Sequence, residues 1–157
     1  MRVLREAVME FLAQKRIAVA GVSRDRNQAA NAIYRKLRGA GYEVFAVNPG
    51  AKEVEGDACY LDLQSIPGGV DGVVIATHPA ASGDVVRECA RLGVPRAWMH
   101  RSFGQGSVSQ EAVRFGRENG VAIIDGGCPL MFCPPVDFAH RCMRWVLGWT
   151  GSLPRSV

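Results

Sequence analysis

Apolar positions along the chain fall into two alternating rhythms. Five short apolar runs, Ile17 to Val22, Glu43 to Val47, Gly72 to Ala76, Arg96 to Met99 and Val121 to Ile124, read as buried strands. Stretches with helical spacing separate them. Residues 2 to 14 put Val3, Leu4, Ala7, Val8, Phe11 and Leu12 on one face. Ala29 to Arg38 turns Ile33, Tyr34 and Leu37 inward before Gly39 and Gly41 stop it. Ala81 to Leu92 buries Val85, Val86, Cys89 and Leu92 and stops at Gly93. Ser109 caps a helix that runs to Asn119-Gly120, and Val136 to Trp149 gives a last one before a tail at 151–157. Val54 to Tyr60 reads as a brief extended stretch or turn, and Asp62 to Ile66 as a helical turn.

Strands that alternate with helices predict an α/β fold, because parallel neighbours need right-handed crossovers that cover both faces of the sheet. The expected architecture is a single Rossmann-like, doubly wound parallel sheet of about five strands in the order 3-2-1-4-5. A chain of 157 residues suits one domain, expected over residues 1–150.

Composition narrows the class. At 48% apolar and 22% charged, the balance is that of a soluble globular protein. No apolar run reaches the roughly 18 residues that span a bilayer, and Met1 to Glu6 lacks the apolar stretch of a signal peptide. A cytoplasmic protein away from membranes is expected. Five cysteines, an odd number at uneven spacings, favour reduced thiols over a disulfide framework. The formal charge of +4 comes without a long Lys/Arg run, so no nucleic-acid groove is expected. A modest basic excess does suit a small polyanion, such as a nucleotide with several phosphates.

Open parallel sheets bind ligands outside the carboxyl ends of their strands, where the strand order reverses. That edge comprises Gly21-Val22-Ser23-Arg24, Asn48-Pro49-Gly50, Ala76-Thr77-His78-Pro79, Met99-His100-Arg101 and Asp125-Gly126-Gly127-Cys128. Each of these residues is as good a turn former as a ligand contact. Gly21-x-Ser23 lacks the further glycines of a dinucleotide fingerprint. Even so, Gly21 lets backbone approach a phosphate, Ser23 and the start of the Ala29 helix offer donors, and Arg24 and Arg26 add charge. The second strand ends in Asn48-Pro49, where an NAD-binding chain places Asp or Glu against the adenosine ribose. An amide bonds an adenine or ribose edge without repelling a phosphorylated ribose, which argues for a 3′ or 2′ phosphate. His78 reads as a base, a phosphate donor or a plain loop histidine, while His100 and Arg101 point to a pyrophosphate or thiol arm. No carboxylate pair with acid/base spacing is evident at this edge, and neither GxSxG nor a P-loop occurs. Cys128-x4-Cys133 and His140-x-Cys142 fit zinc spacings poorly, so no metal is expected.

Several segments together resemble a known family: Ile17 to Ser23, Gly41 to Pro49, Gly56 to Tyr60, Ile66-Pro67 before Val70-Asp71, Ala97 to Met99, and Gly120 to Pro129. In this order they look like the small bacterial CoA-binding proteins, whose Rossmann-like domain is similar to the CoA-binding half of the succinyl-CoA ligase alpha subunit. The resemblance covers about residues 10 to 135. It implies that Gly21 to Arg24 and Asn48-Pro49 hold the adenosine and phosphates of CoA, while loops around Thr77 and Trp98 to His100 line the rest. Two departures stand out: His100-Arg101 replaces the family's Gln-Gly, and Asn31 stands where the family carries a hydroxyl residue.

Three readings follow. The first is a binding module for CoA or an acyl-CoA without resident catalysis, since a ligase would need a further domain with a phosphohistidine loop. The second is an NAD(P)-dependent oxidoreductase or redox sensor, which lacks a ribose carboxylate or 2′-phosphate clamp after Val47. The third is a thiol-regulated protein in which Cys128 forms a mixed disulfide with CoA. Trp145 and Trp149 on the last helix offer a homodimer contact.

Overall fold

A seven-stranded sheet with helices on both faces organises the molecule. The computed structural model describes residues 3–154. Its elements run α1 (Leu4–Leu12), β1 (Arg16–Ala20), α2 (Ala29–Gly39), β2 (Glu43–Val47), β3 (Glu53–Val54), β4 (Asp57–Tyr60) and β5 (Gly72–Ile75). They continue with α3 (Pro79–Leu92), β6 (Arg96–Met99), α4 (Gln110–Glu118), β7 (Ala122–Asp125), a 3₁₀ turn (Pro129–Met131) and α5 (Phe138–Trp149). Arg2 of the expected first helix and residues 155–157 of the expected tail lie outside the described residues. No described helix is long and apolar enough to cross a membrane.

The strand order is β3-β4-β2-β1-β5-β6-β7, with every pairing parallel except β3 against β4. This corrects the expected order. Gly72–Ile75, the expected third strand, does not flank β2; it pairs with β1, from Ile17 opposite Gly72 to Ala20 opposite Ile75. The place beside β2 belongs to β4, formed from the segment read as a brief extended stretch or turn. The miss has a physical cause. β4 is four half-exposed residues without a continuous apolar run, and it meets β2 only at Ala46–Cys59 and Val47–Tyr60. It follows a tight hairpin at Glu55-Gly56, both at positive φ (54° and 79°).

Period-two alternation divides the core. In β1, Ile17 and Val19 face the layer of α1, α2 and α5, while Ala18 and Ala20 face α3 and α4. Trp98 of β6 packs edge-on to Phe11, ring centroids 5.5 Å apart, and tilts against Phe132 at 5.8 Å. On the other face, a Cβ on Gly116 would lie 2.2 Å from Ile123 Cδ1, so the missing side chain is what lets α4 sit on β7. Helix ends are signalled locally. Pro79 opens α3 with the His78 imidazole Nδ1 accepting the Ala80 N–H, and Gly93 closes it at φ 71°.

Candidate ligand cleft at the carboxyl edge of the sheet

The order of connection switches from one side of β1 to the other between β1 and its parallel neighbour β5, and at that point the chain leaves a cleft of about 480 Å³. Gly21, Asn48, Pro49, Thr77 and His78 line it, so five of the sequence-nominated residues converge there. Close backbone approach shapes its floor. Gly21 has φ 104°, and a Cβ on it would fall 2.3 Å from the Ala76 carbonyl oxygen.

The remaining wall was not legible in sequence. Leu61 and Asp62 follow β4, while Ala81, Asp84, Val85 and Glu88 come from one face of α3. Three carboxylates, Asp62, Asp84 and Glu88, therefore line this cleft, none of them in the loops nominated from sequence. Asp62 escaped because its strand did, and the α3 face was legible only as a buried side around Val85. The Asp62 Oδ1 is committed: it accepts from the Ser65 N–H at 2.8 Å and the Ser65 hydroxyl at 2.5 Å. These bonds hold its pKa below the usual carboxylate value. The Glu88 Oε1 accepts the Gln64 N–H at 3.2 Å.

Asn48 braces two loops. Its Nδ2 donates to the Val22 carbonyl at 2.9 Å and its Oδ1 accepts the Gly50 N–H at 2.8 Å. Val22 is itself buried, so only its backbone reaches the edge. Thr77 Oγ1 and Ser82 Oγ lie 3.2 Å apart, and Ser82 donates to the Ser107 carbonyl at 2.7 Å.

Beside the cleft, Asn31 sits fully buried in the first turn of α2 and fixes the Ser23 loop. Its Oδ1 accepts the Ser23 N–H at 3.0 Å, and its Nδ2 donates to the Ser23 carbonyl at 2.7 Å and to Glu55 Oε1 at 2.8 Å. Arg35 adds a 2.7 Å ion pair to the same Glu55 oxygen. The other oxygen, Oε2, has no hydrogen-bond donor, although Arg26 Nε stands 3.4 Å away. The Asn31 hydrogen bond and the arginines keep the Glu55 carboxyl below its ordinary pKa against the pull of burial. Arg24, Arg26 and Glu53 to Gly56 line a separate depression of about 420 Å³. Gln28, which precedes α2, makes no side-chain cap, so the first-turn amides of that helix lack a side-chain acceptor.

Four further nominated residues make contacts within the protein. Trp98 is buried and its indole N–H donates to the Gly126 carbonyl at 2.9 Å. His100 follows β6, its Nε2 3.3 Å from Ser102 Oγ, and burial lowers its pKa. Arg101 is tied by its N–H to Gly127 O and by its guanidinium to Ser152 O, both at 2.9 Å. Cys128 is 2% exposed, and burial raises its thiol pKa to about 11. That environment disfavours the thiolate a mixed disulfide requires. Among the described residues, no three His, Cys, Asp or Glu side chains converge to hold a metal ion.

Another cleft, about 550 Å³ and lined by Glu10, Phe11, Arg96, Arg117 and Ala122 among others, opens where β6 and β7 begin. That is the edge where sheets of this kind do not bind ligands.

Comparisons with known proteins identify relatives of this chain and of its fold. A family model described as a CoA binding domain matches residues 15–134. The acetate–CoA ligase [ADP-forming] I of Archaeoglobus fulgidus is 28% identical over 120 residues, which is 73% of this chain but 18% of that protein. This chain thus spans under a fifth of that relative's length. Uncharacterized protein YneT of Bacillus subtilis is 30% identical over 114 residues, 73% of this chain and 82% of its own length. Among solved structures, a hypothetical protein from Pyrococcus horikoshii OT3 superposes with a TM-score of 0.74 at 27% identity, covering 82% of this chain and 92% of that one. The dinucleotide-forming acetyl-coenzyme A synthetase 1 of Ca. Korarchaeum cryptofilum superposes at 0.61 with 29% identity, covering 70% of this chain and 25% of the synthetase chain.

Proposed function

This chain belongs to the CoA-binding domain family, and on that premise we propose that it binds coenzyme A or an acyl-CoA noncovalently, as a stand-alone module without catalysis of its own. The observation that carries this reading is the separation of charge along the carboxyl edge. The cleft itself is apolar at Pro49, Leu61, Ala81 and Val85 and acidic at Asp62, Asp84 and Glu88. Such walls suit a planar adenine and its donor groups and repel phosphate. The phosphates belong on the neighbouring Ser23 to Arg26 loop, where Arg24 and the uncapped first amides of α2 supply donors and positive charge beside Glu53, and where a phosphate would share Arg26 with Glu55. From there the thiol arm runs toward the loops after β5 and β6, past Thr77 and His100.

Asp62 favours a second reading, an NAD-type ligand, because it puts a carboxylate beside Asn48. Its bonds to Ser65 argue against a ribose role, since the oxygen that accepts them is already engaged. Calorimetric titration with CoA, NAD and NADP separates the two. CoA heat with silent NAD supports the proposal; NAD heat with silent CoA overturns it. The double variant Arg24→Gln/Arg26→Gln is expected to weaken CoA about tenfold and to affect dephospho-CoA less, since one charge-assisted contact is worth about 1.5–3 kcal/mol.

A further inference from the structure

Beyond the last residue of the family match, α5 adds a surface that the ligand cleft does not use. Phe138, Trp145 and Trp149 are 74%, 71% and 81% exposed, and their spacing of seven and then four residues sets them along one stripe. The two indoles stack, centroids 6.2 Å apart and 12° from parallel. Next to this ridge lies a groove of about 950 Å³, lined by Val8, Met9 and Leu12 of α1 with Tyr42, Phe132 and Pro134. Arg144 borders both, donating to the Met131 carbonyl at 3.2 Å and lying over the Phe132 ring. Ridge and groove are therefore neighbours on one face. Met9 and Val3, at 62% and 51%, are exposed on α1.

We propose that this face joins two copies of the chain across a two-fold axis, the Trp145–Trp149 stack of each copy filling the α1 groove of the other. An isologous interface requires a patch complementary to itself, and a ridge beside a groove meets that requirement. Area points the same way. Aromatic side chains bury about 150–250 Å² each, so the tryptophans and Phe138 of both copies, about three-quarters exposed, supply about 700–1,100 Å². Stable interfaces bury about 1,200–2,000 Å² in total, which the rim residues of α1 bring within reach. Charge fixes the register. Arg141 of α5 and Glu6 of α1 are exposed, and neither side chain has an ion pair or hydrogen bond among the described residues. Seating α5 of one copy on α1 of the other brings these opposite charges together twice. Because α1 also carries Arg5, this is a matter of pairing and not of net sign.

Light scattering on the eluting full-length chain reads the outcome. The proposal expects twice the 17.0 kDa chain mass for the wild type. Trp149→Glu and Met9→Glu, on opposite sides of the contact, are each expected to give the single-chain mass with circular dichroism and CoA binding unchanged. Arg141→Glu is expected to weaken dimerisation about tenfold, and adding Glu6→Arg to restore it. A wild type that stays at 17.0 kDa throughout the micromolar range overturns the proposal, as does a dimer that survives both Trp149→Glu and Met9→Glu. A monomer that instead binds anionic vesicles through the tryptophans also overturns it and assigns the face to a lipid surface.

Discussion

Glu55 controls which way the Asn31 amide faces. A carboxylate only accepts hydrogen bonds, so Asn31 must turn its NH₂ toward Glu55 and its oxygen toward the Ser23 N–H. The Ser23 amide is thereby consumed inside the protein, leaving the loop's other donors and its arginines for a ligand. Glu55→Gln introduces donors at that point and removes the constraint. It is expected to cost about 1–3 kcal/mol in urea unfolding and to weaken CoA binding; unchanged unfolding would contradict the role. Burial also sorts the thiols. Cys89 and Cys128 are buried, with pKa raised to about 12 and about 11, while Cys142 is exposed. Peptide mapping after brief iodoacetamide treatment at neutral pH should find Cys142 labelled first, and prior labelling of Cys128 would contradict the buried geometry. The same shifts set an alkaline limit. Folded pKa values lie above the ordinary thiol value of 9.0, so the protonated thiols contribute stability fully below about pH 9. That contribution falls as pH rises through the folded values. Melting temperature should decline above pH 9, and less steeply in a Cys128→Ala variant.

At the scale of elements, the β1–α2 turn depends on Gly21. Its φ of 104° and the 2.3 Å approach to Ala76 O leave no place for a Cβ. Gly21→Ala is expected to lose about 2 kcal/mol or more of stability in chemical unfolding, and a loss near zero would show that the two loops are not in contact. Most elements were legible because their signals are local: apolar runs for the central strands, Gly93 and Pro79 at the ends of α3, Ser109 at the start of α4. β4 was not, since a short half-exposed strand owes its existence to its neighbours, β2 and the Glu55-Gly56 hairpin. That one omission displaced Gly72–Ile75 in the expected order and hid Asp62. Residues that approach only through tertiary structure were equally silent. Nothing in the sequence around Asn31 announces Glu55, 24 positions away.

At the scale of the whole molecule, the cleft where the strand order reverses lies between an acidic, partly apolar wall and an arginine-bearing loop. Sequence motifs nominated Gly21, Asn48 and Thr77, which line that cleft, together with Trp98, Arg101 and Cys128, whose side chains are buried or tied to the chain's own carbonyls. Such roles follow from three-dimensional neighbours, not from spacing. The central claim, that CoA lies across this edge with adenine in the cleft and phosphates on the loop, is tested most directly by amide chemical-shift mapping on the labelled protein. Adding CoA is predicted to move the signals of Gly21 to Arg26, Asn48, Gly50, Thr77 and His78 while leaving Gly120 to Ile123 at the opposite edge unmoved. Shifts confined to Gly120 to Ile123 and α1, with the first set unmoved at saturation, would contradict it.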